Sequence, residues 1–563
     1  MRVIIVGGVA GGATAAARIR RLNEQAEVTV YEKTGFISYA NCGLPYYIGD
    51  VITDAKELTL QTPASFRQRF CVDMKVHHEV LRIHPENKTV EVKNLETGEV
   101  FEDHYDKLLL SPGARPVKPP LPGVDSCRIY TLRTVEDTLH LKEEIQVRNA
   151  QSAVIAGGGF IGVELAENLK EAGLDVTIVE MLPQLMSPFD SDMASFLHAE
   201  VRKHGVNLRL GTKIGGFQET EGGIDVLLEG QETLHADLAV LAVGVAPDTA
   251  MAAEAGLKLG VRGSIVVNEK METSVPDIYA VGDAVQIRHL VSGQDALVPL
   301  AGPANKQARI AADNICGYDS RYQGAQGSSV LKIFQMSAAS TGLNERVAKQ
   351  AGLQTDKVIL SPMSHAGYYP GGKVMTIKVV FEKETFRILG AQIAGYEGVD
   401  KRIDVIAAAM QAGLKAWELK DLELSYAPPY SSAKDPVNMA GFMIDNVANG
   451  ILKQWFVEDE PLLPRDGSVT LLDVRTAGEY GRGHMEGFAN IPVDELREHL
   501  DEIPRGKPVY VNCQSGIRSY IACRILEGNG YGAYNFAGGY RFYDAVMHDK
   551  ALIQAATECG MDR

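Results

Sequence analysis

SAVIAGGGFIGVELAENLKEAGLDVTIVE, residues 152–180, decides the fold. A short apolar run enters a glycine cluster, an amphipathic stretch follows, and a second apolar run closes the segment. Strand, tight turn, helix and strand in this order make a βαβ unit, which requires a parallel sheet. Gly157, Gly159 and Gly162 fit GxGxxG between the first strand and the helix. Glycines there permit the turn and let the backbone approach a pyrophosphate resting on the helix N-terminus. Glu180 ends the second strand, where a carboxylate accepts from both ribose hydroxyls and repels a 2′-phosphate. The following Met181-Leu182-Pro183-Gln184 offers no arginine to bind one, so NADH is favoured over NADPH. Phe160, Ile161, Glu164 and Gly244 complete the NAD-binding candidates.

The same pattern begins at residue 2, with RVIIVG, then GVAGGATAAARIRRL, then EVTVYEK. Gly7 and Gly12 hold the outer glycine positions, Val9 takes the middle one, and Gly8 and Gly11 flank it. Glu32 ends the next strand. Two copies in one chain predict two Rossmann-like dinucleotide folds, the first interrupted by the second. Pro and Gly concentrate at 108–124 and 242–250, the two crossings. Beyond residue 328, alternating strands and then KRIDVIAAAMQAGL predict an α+β domain. WFVEDEPLLPRDGS, residues 455–468, is acidic and punctuated by proline, as a linker would be. The fold class is therefore α/β. Its expected parts are 1–113 with 246–327, 114–245, 328–450, a linker at 451–467, and an α/β module at 468–563.

Bulk properties agree with several domains, because 563 residues exceed what one hydrophobic core holds. A formal charge of -16 disfavours nucleic acid as the main partner. The chain opens directly on a strand pattern, and no apolar run nears the ~20 residues that span a bilayer. A cytoplasmic protein without membrane association is the expectation. Seven cysteines without a CxxC predict neither structural zinc nor a disulfide framework, so no metal is expected.

TSVPDIYAVGDA (273–284) resembles the second flavin signature of the two-dinucleotide-domain flavoproteins, and SPGARP (111–116) resembles their short crossover motif. The resemblance implies FAD, with Asp283 on the ribityl chain. It also implies Gly7, Gly8, Ala10, Gly12, Glu32, Lys33, Asn41, Val80, Ser111, Gly113, Pro299 and Ala301 around the cofactor. Cys42 lies in SYANCGLPYY; many relatives carry CxxxxC, but five residues on stands Tyr47. The chain thus resembles the single-cysteine branch, which contains CoA-disulfide reductases, NADH oxidases and NADH peroxidases. Oxidases and peroxidases carry a histidine where this chain has Ala10, which disfavours oxygen or peroxide as substrate. Beside an oxidised flavin and a helix start, the Cys42 thiol is expected to have a depressed pKa.

Ser38, Asn41 and Cys42 match the SxANC motif of the CoA-disulfide reductases. That resemblance implies coenzyme A bound by Thr14, Arg18, Arg21, Ser38, Asn41 and Lys434, arginine being suited to phosphate. SHAGYYPGG (364–372) and LSYAPPYSSAKDP (424–436) resemble segments that reach the partner subunit's active site. Tyr368 and Tyr426 are the expected proton donors, with Tyr369 and Tyr430 as alternatives, and a homodimer with shared active sites follows.

The last stretch resembles a rhodanese. LLDVRTAGEYGRGHMEGFANIP (471–492) supplies Asp473, Arg475, Glu479 and His484, and CQSGIR places four residues between Cys513 and Arg518. Backbone amides of such a loop stabilise a thiolate or persulfide, whereas Cys523 reads as core. The whole resemblance implies an NADH-dependent flavoprotein that reduces persulfides or polysulfides, CoA persulfide included, and releases hydrogen sulfide. The rhodanese would deliver sulfane sulfur to Cys42. CoA-disulfide reduction is the near alternative; a sulfur carrier, redox sensor or thiosulfate sulfurtransferase is the alternative from another class. A linker of ~15 residues could carry the rhodanese roughly 50 Å, so domain docking and a swinging CoA arm both stay open.

Overall fold

Val3, Ile4 and Ile5 have no exposed surface in the computed structural model, which describes residues 1–230 and 232–561. They form the centre of a parallel sheet ordered Ile278–Ala280, Lys107–Leu110, Arg2–Val6, Glu27–Tyr31, Asp73–Lys75. A second parallel sheet repeats the design, in the order Asn207–Leu210, Asp175–Glu180, Ser152–Ala156, Leu238–Leu241, Ile129–Thr131. Strands buried on both faces account for their continuous apolar runs. In each copy the glycine turn delivers the chain from the first strand into a helix, Ala10–Leu22 or Phe160–Glu171. These sheets belong to one compact unit, residues 1–183 and 205–327.

The second unit comprises 184–204 and the residues from 328 onward. Its antiparallel sheet runs Ser329–Ile333, Met336–Gly342, Ile388–Gly395, Met375–Glu382, Thr355–Leu360. Helices Val399–Gln411 and Pro436–Ala448 cover its apolar face through Ile403, Ile406, Val437 and Ile444. A five-stranded parallel sheet, Gln454–Trp455, Ala533–Phe536, Val509–Asn512, Thr470–Asp473, Ala489–Asn490, forms the last domain.

Two features depart from the expected domain limits. Residues 184–204 lie in the crossover of the second dinucleotide fold, yet they pack with the later unit. Helix Ser191–Lys203 buries Met193, Ala194, Leu197 and Val201. Its acidic start meets Lys378, which is fully buried and lies 3.0 Å from Asp190, 2.8 Å from Asp192 and 2.6 Å from Glu345. The expected linker is also partly structured. Gln454–Trp455 is an edge strand of the last sheet, and Trp455, 2% exposed, packs on Phe536 at 4.3 Å and Phe488 at 5.9 Å. Acidic and proline-rich composition concealed an anchor that rests on one tryptophan.

That last domain is docked within its unit. Asp549 of its final helix accepts from Arg202 at 2.5 Å and pairs with His198 at 2.7 Å. Phe542 packs on Phe196 at 5.9 Å, and Lys357 pairs with Glu458 at 2.5 Å. Among the described residues no helix is long and apolar enough to cross a membrane.

Candidate active sites

The two glycine turns are built alike. Gly157 has φ +110°, and a Cβ there would lie 2.4 Å from the Ala242 carbonyl oxygen. A Cβ on Gly162 would lie 2.0 Å from the Gly157 oxygen, whereas one on Gly159 would meet nothing within 4 Å. Chain packing therefore requires the outer glycines and leaves the space over the middle one open, as a phosphate-binding turn needs. Glu180 accepts from the N–H groups of Gly158 and Leu182, each at 2.7 Å. In the first turn Glu32 accepts from Gly8 at 2.8 Å and Thr34 at 2.9 Å.

A cavity of about 480 Å³ opens beside the first turn, lined by Gly7, Glu32, Lys33, Asn41, Val80, Ser111 and Gly113 among the expected FAD residues. Gly8, Ala10, Gly12, Asp283, Pro299 and Ala301 are not in its lining. Asp283 is tied to the wall by Arg133, whose Nη2 donates to it at 3.0 Å. Asn41 Oδ1 is buried without a hydrogen-bond partner. A cavity with an orphaned acceptor, an arginine in its wall and a glycine floor fits a dinucleotide. Arg133 and Asp137 also line it and were missed in the sequence, because they sit in an ordinary helix-capping stretch, TLRTVED.

Cys42 sits in a single turn, Asn41–Gly43, that leads into helix Leu44–Ile48. One side of the thiol is open to solvent. The atoms packed around it raise its pKa, Glu164 and Asp283 add to the rise, and Arg133 opposes it. The expected depression was tied to a bound oxidised flavin; the chain's own groups act in the opposite direction. The nearby helix has five residues and a weak dipole, and carboxylates outnumber cations around the sulfur. Burial, and then Glu167, push Glu164 itself up to about 7.

The coenzyme A candidates are spread over one helix and two loops. Thr14 Oγ1 donates to Asn305 at 2.5 Å, and Arg18 Nε donates to Asp313 at 2.7 Å. Arg18 is thus already paired, and a phosphate would have to share it. Arg21 and Lys434 are exposed, while Ser38 donates its N–H to the Gly8 carbonyl at 2.9 Å.

Tyr368 and Tyr426 are 58 positions apart in sequence, and their hydroxyls meet at 2.7 Å. Both side chains are exposed, at 75% and 46%. The hydrogen bond between the two hydroxyls raises the Tyr368 pKa. Tyr369 instead packs edge-on against His365 at 5.6 Å. Tyr430 remains exposed.

Cys513 directly follows strand Val509–Asn512 and is fully buried. Its Sγ accepts from Gly516 N–H and Ser519 Oγ–H, both at 3.1 Å. Gly516, at φ +96°, turns its amide inward. Arg518 makes two 2.7 Å bonds to Glu479, which lower that carboxyl to about 2 against the effect of burial. Cys523 is buried and its thiol is pushed far up by burial, as a core residue would be. The side chain of Cys559 lies outside the described residues.

Three family models match the chain. One described as pyridine nucleotide-disulphide oxidoreductase covers residues 1–308, its dimerisation domain covers 328–436, and a rhodanese-like domain covers 461–545. The coenzyme A disulfide reductase of Staphylococcus aureus is 36% identical over 442 residues, 78% of this chain and 99% of its own. The crystal structure of reduced Bacillus anthracis CoADR-RHD is 45% identical, covers 97% of this chain and 98% of that one, and has a TM-score of 0.95. A NAD-dependent persulfide reductase from A. fulgidus is 36% identical over 96% of this chain and 100% of its own, with a TM-score of 0.91.

Proposed function

Because the chain belongs to the pyridine nucleotide-disulphide oxidoreductase family, we propose that it reduces persulfides and polysulfides, coenzyme A persulfide included, at the expense of NADH. The observation that carries the reading is the pairing of a lone Cys42 in the reductase half with an intact, amide-cradled Cys513 in the sulfur-carrying half. The net reaction is R–S–SH + NADH + H⁺ → R–SH + H₂S + NAD⁺. FAD and NADH, bound at the two glycine turns, supply the electron pair.

The chain's residues do the rest. Cys42 attacks the sulfane sulfur as a thiolate and expels R–S⁻, leaving a persulfide on Cys42 that two electrons and a proton convert to thiolate and sulfide. Tyr368 and Tyr426 give and relay the proton that the leaving thiolate needs. Arg133 holds Asp283 in place, and Glu180 holds the turn that receives NADH. Cys513 accepts sulfane sulfur and passes it on, its persulfide held by the Gly516 N–H and the Ser519 hydroxyl. The last helix of the rhodanese packs against helix Ser191–Lys203 within its unit, so in this reading the cargo travels on a coenzyme A arm and the domain stays put.

A match to the family dimerisation domain supports a homodimer in which Tyr368 and Tyr426 of one protomer serve Cys42 of its partner. Six described cysteines are free thiols, which suits a reducing, cytoplasmic setting. Coenzyme A disulfide is the second reading, favoured by the 36% identity to the S. aureus reductase over 78% of the chain. Cys42→Ser should abolish NADH oxidation driven by coenzyme A persulfide while the flavin stays bound. Retained turnover in that variant would refute the route.

A further inference from the structure

Two loops far apart in sequence bring the tyrosine hydroxyls together, and one buried cation touches both. Arg402, in the first turns of helix Val399–Gln411, is 1% exposed. Its Nη2 lies 2.9 Å from the Ser364 carbonyl oxygen and 3.2 Å from that of Tyr430. The same nitrogen is 3.2 Å from Ser431 Oγ and 2.9 Å from Asp435 Oδ2. Two N–H bonds cannot serve four acceptors fully, so the guanidinium charge is what these groups converge on. Ser364 lies four residues before Tyr368, and Tyr430 lies four residues after Tyr426. Gly398, in the left-handed region at φ +66°, leaves room for this side chain, since a Cβ there would lie 2.1 Å from Arg402 Nη1.

Asp435 completes the clamp. It caps helix Pro436–Ala448 through the Val437 N–H at 3.0 Å and accepts from Ser431 Oγ at 2.6 Å. Burial alone would raise its pKa, but Ser431, Val437 and Arg402 together hold it below the usual carboxylate range. A buried ion pair so fully bonded is worth less for net stability than for the single arrangement it enforces.

We propose that Arg402, paired with Asp435, is a positioning residue that locks the 361–374 and 424–436 loops in the register where Tyr368 and Tyr426 share a hydrogen bond. This rests on the reading that the tyrosine pair serves the sulfur chemistry. The test is a kinetic cycle on the full-length flavoenzyme, with coenzyme A persulfide and NADH. Arg402→Lys keeps the charge but loses the planar fork, so kcat should fall by about 10-fold with KM for NADH unchanged. In a Tyr368→Phe/Tyr426→Phe background the same substitution should change kcat less than about 2-fold, because coupled residues are not additive. Ser431→Ala, a milder cut in the same network, should show the same dependence on the tyrosines and keeps the test open if Arg402→Lys does not fold. If both changes lower kcat equally with and without the tyrosines, the clamp is only structural and the proposal fails. If the double phenylalanine variant keeps full kcat, the tyrosine reading falls and the clamp with it.

Discussion

Glu164 acts on Cys42 through space, and its own carboxyl is pushed up to about 7 by burial and then by Glu167. As pH rises through that value it ionises and opposes the Cys42 thiolate. Glu164→Gln should therefore move the pH profile of Cys42 alkylation downward, read as the rate of iodoacetamide labelling. An unchanged or upward-shifted profile would contradict this. The sign for stability follows from the same value. A carboxyl raised from ~4.3 loses stability relative to a neutral residue as pH climbs from there through about 7. The Tm advantage of the Gln variant should thus appear near neutrality and vanish below pH ~4. This effect on Cys42 was not legible in the sequence, where Glu164 reads as an NAD-binding candidate two past the last glycine of the motif.

At the scale of the element, the glycine turns were the most legible part of the chain. Gly157, Gly159 and Gly162 are spaced by backbone geometry that any sequence must satisfy, and the structure separates their roles. Gly157→Ala would force a Cβ to 2.4 Å from the Ala242 oxygen at φ +110°, so it should lower Tm sharply. Gly159→Ala meets open space and should leave Tm nearly unchanged while raising KM for NADH. Equal Tm losses in the two variants would show that the middle glycine is also a packing residue. Of the amide-lined loop expected around Cys513, the structure shows one backbone N–H, that of Gly516, on the sulfur, joined by the Ser519 hydroxyl. The buried clamp on the tyrosine loops was not legible, because Arg402 and Asp435 meet across 33 positions with no shared motif. The edge strand at Trp455 was hidden by its acidic surroundings.

Across the molecule, the largest departure from the sequence reading is the membership of residues 184–204 in the later unit. Beside its apolar contacts, this segment pairs through Asp190 and Asp192 with Lys378, which is fully buried and also meets Glu345. Burial would raise Glu345, but Lys378 and then Lys357 bring it down to about 2. Lys378→Met leaves buried Asp192 and the part-buried Asp190 and Glu345 without this cation and should cost about 3–5 kcal/mol in urea unfolding. A loss under ~1 kcal/mol would mean the cluster is hydrated and the unit is held by apolar packing alone. The order of oxidoreductase, dimerisation and rhodanese-like parts was legible in the sequence because each carries its own local motif. How helix Ser191–Lys203 and the rhodanese attach was not, since buried ion pairs between distant segments leave no local signature.

The central claim is that Cys513 delivers sulfur to a reductase built around Cys42. The direct measurement is anaerobic NADH oxidation with coenzyme A persulfide and coenzyme A disulfide at matched concentrations, with sulfide quantified. The account predicts much faster turnover of the persulfide and one sulfide released per NADH. Faster turnover of the disulfide, with no sulfide, would contradict it and leave a thiol-disulfide reductase carrying a rhodanese of separate purpose.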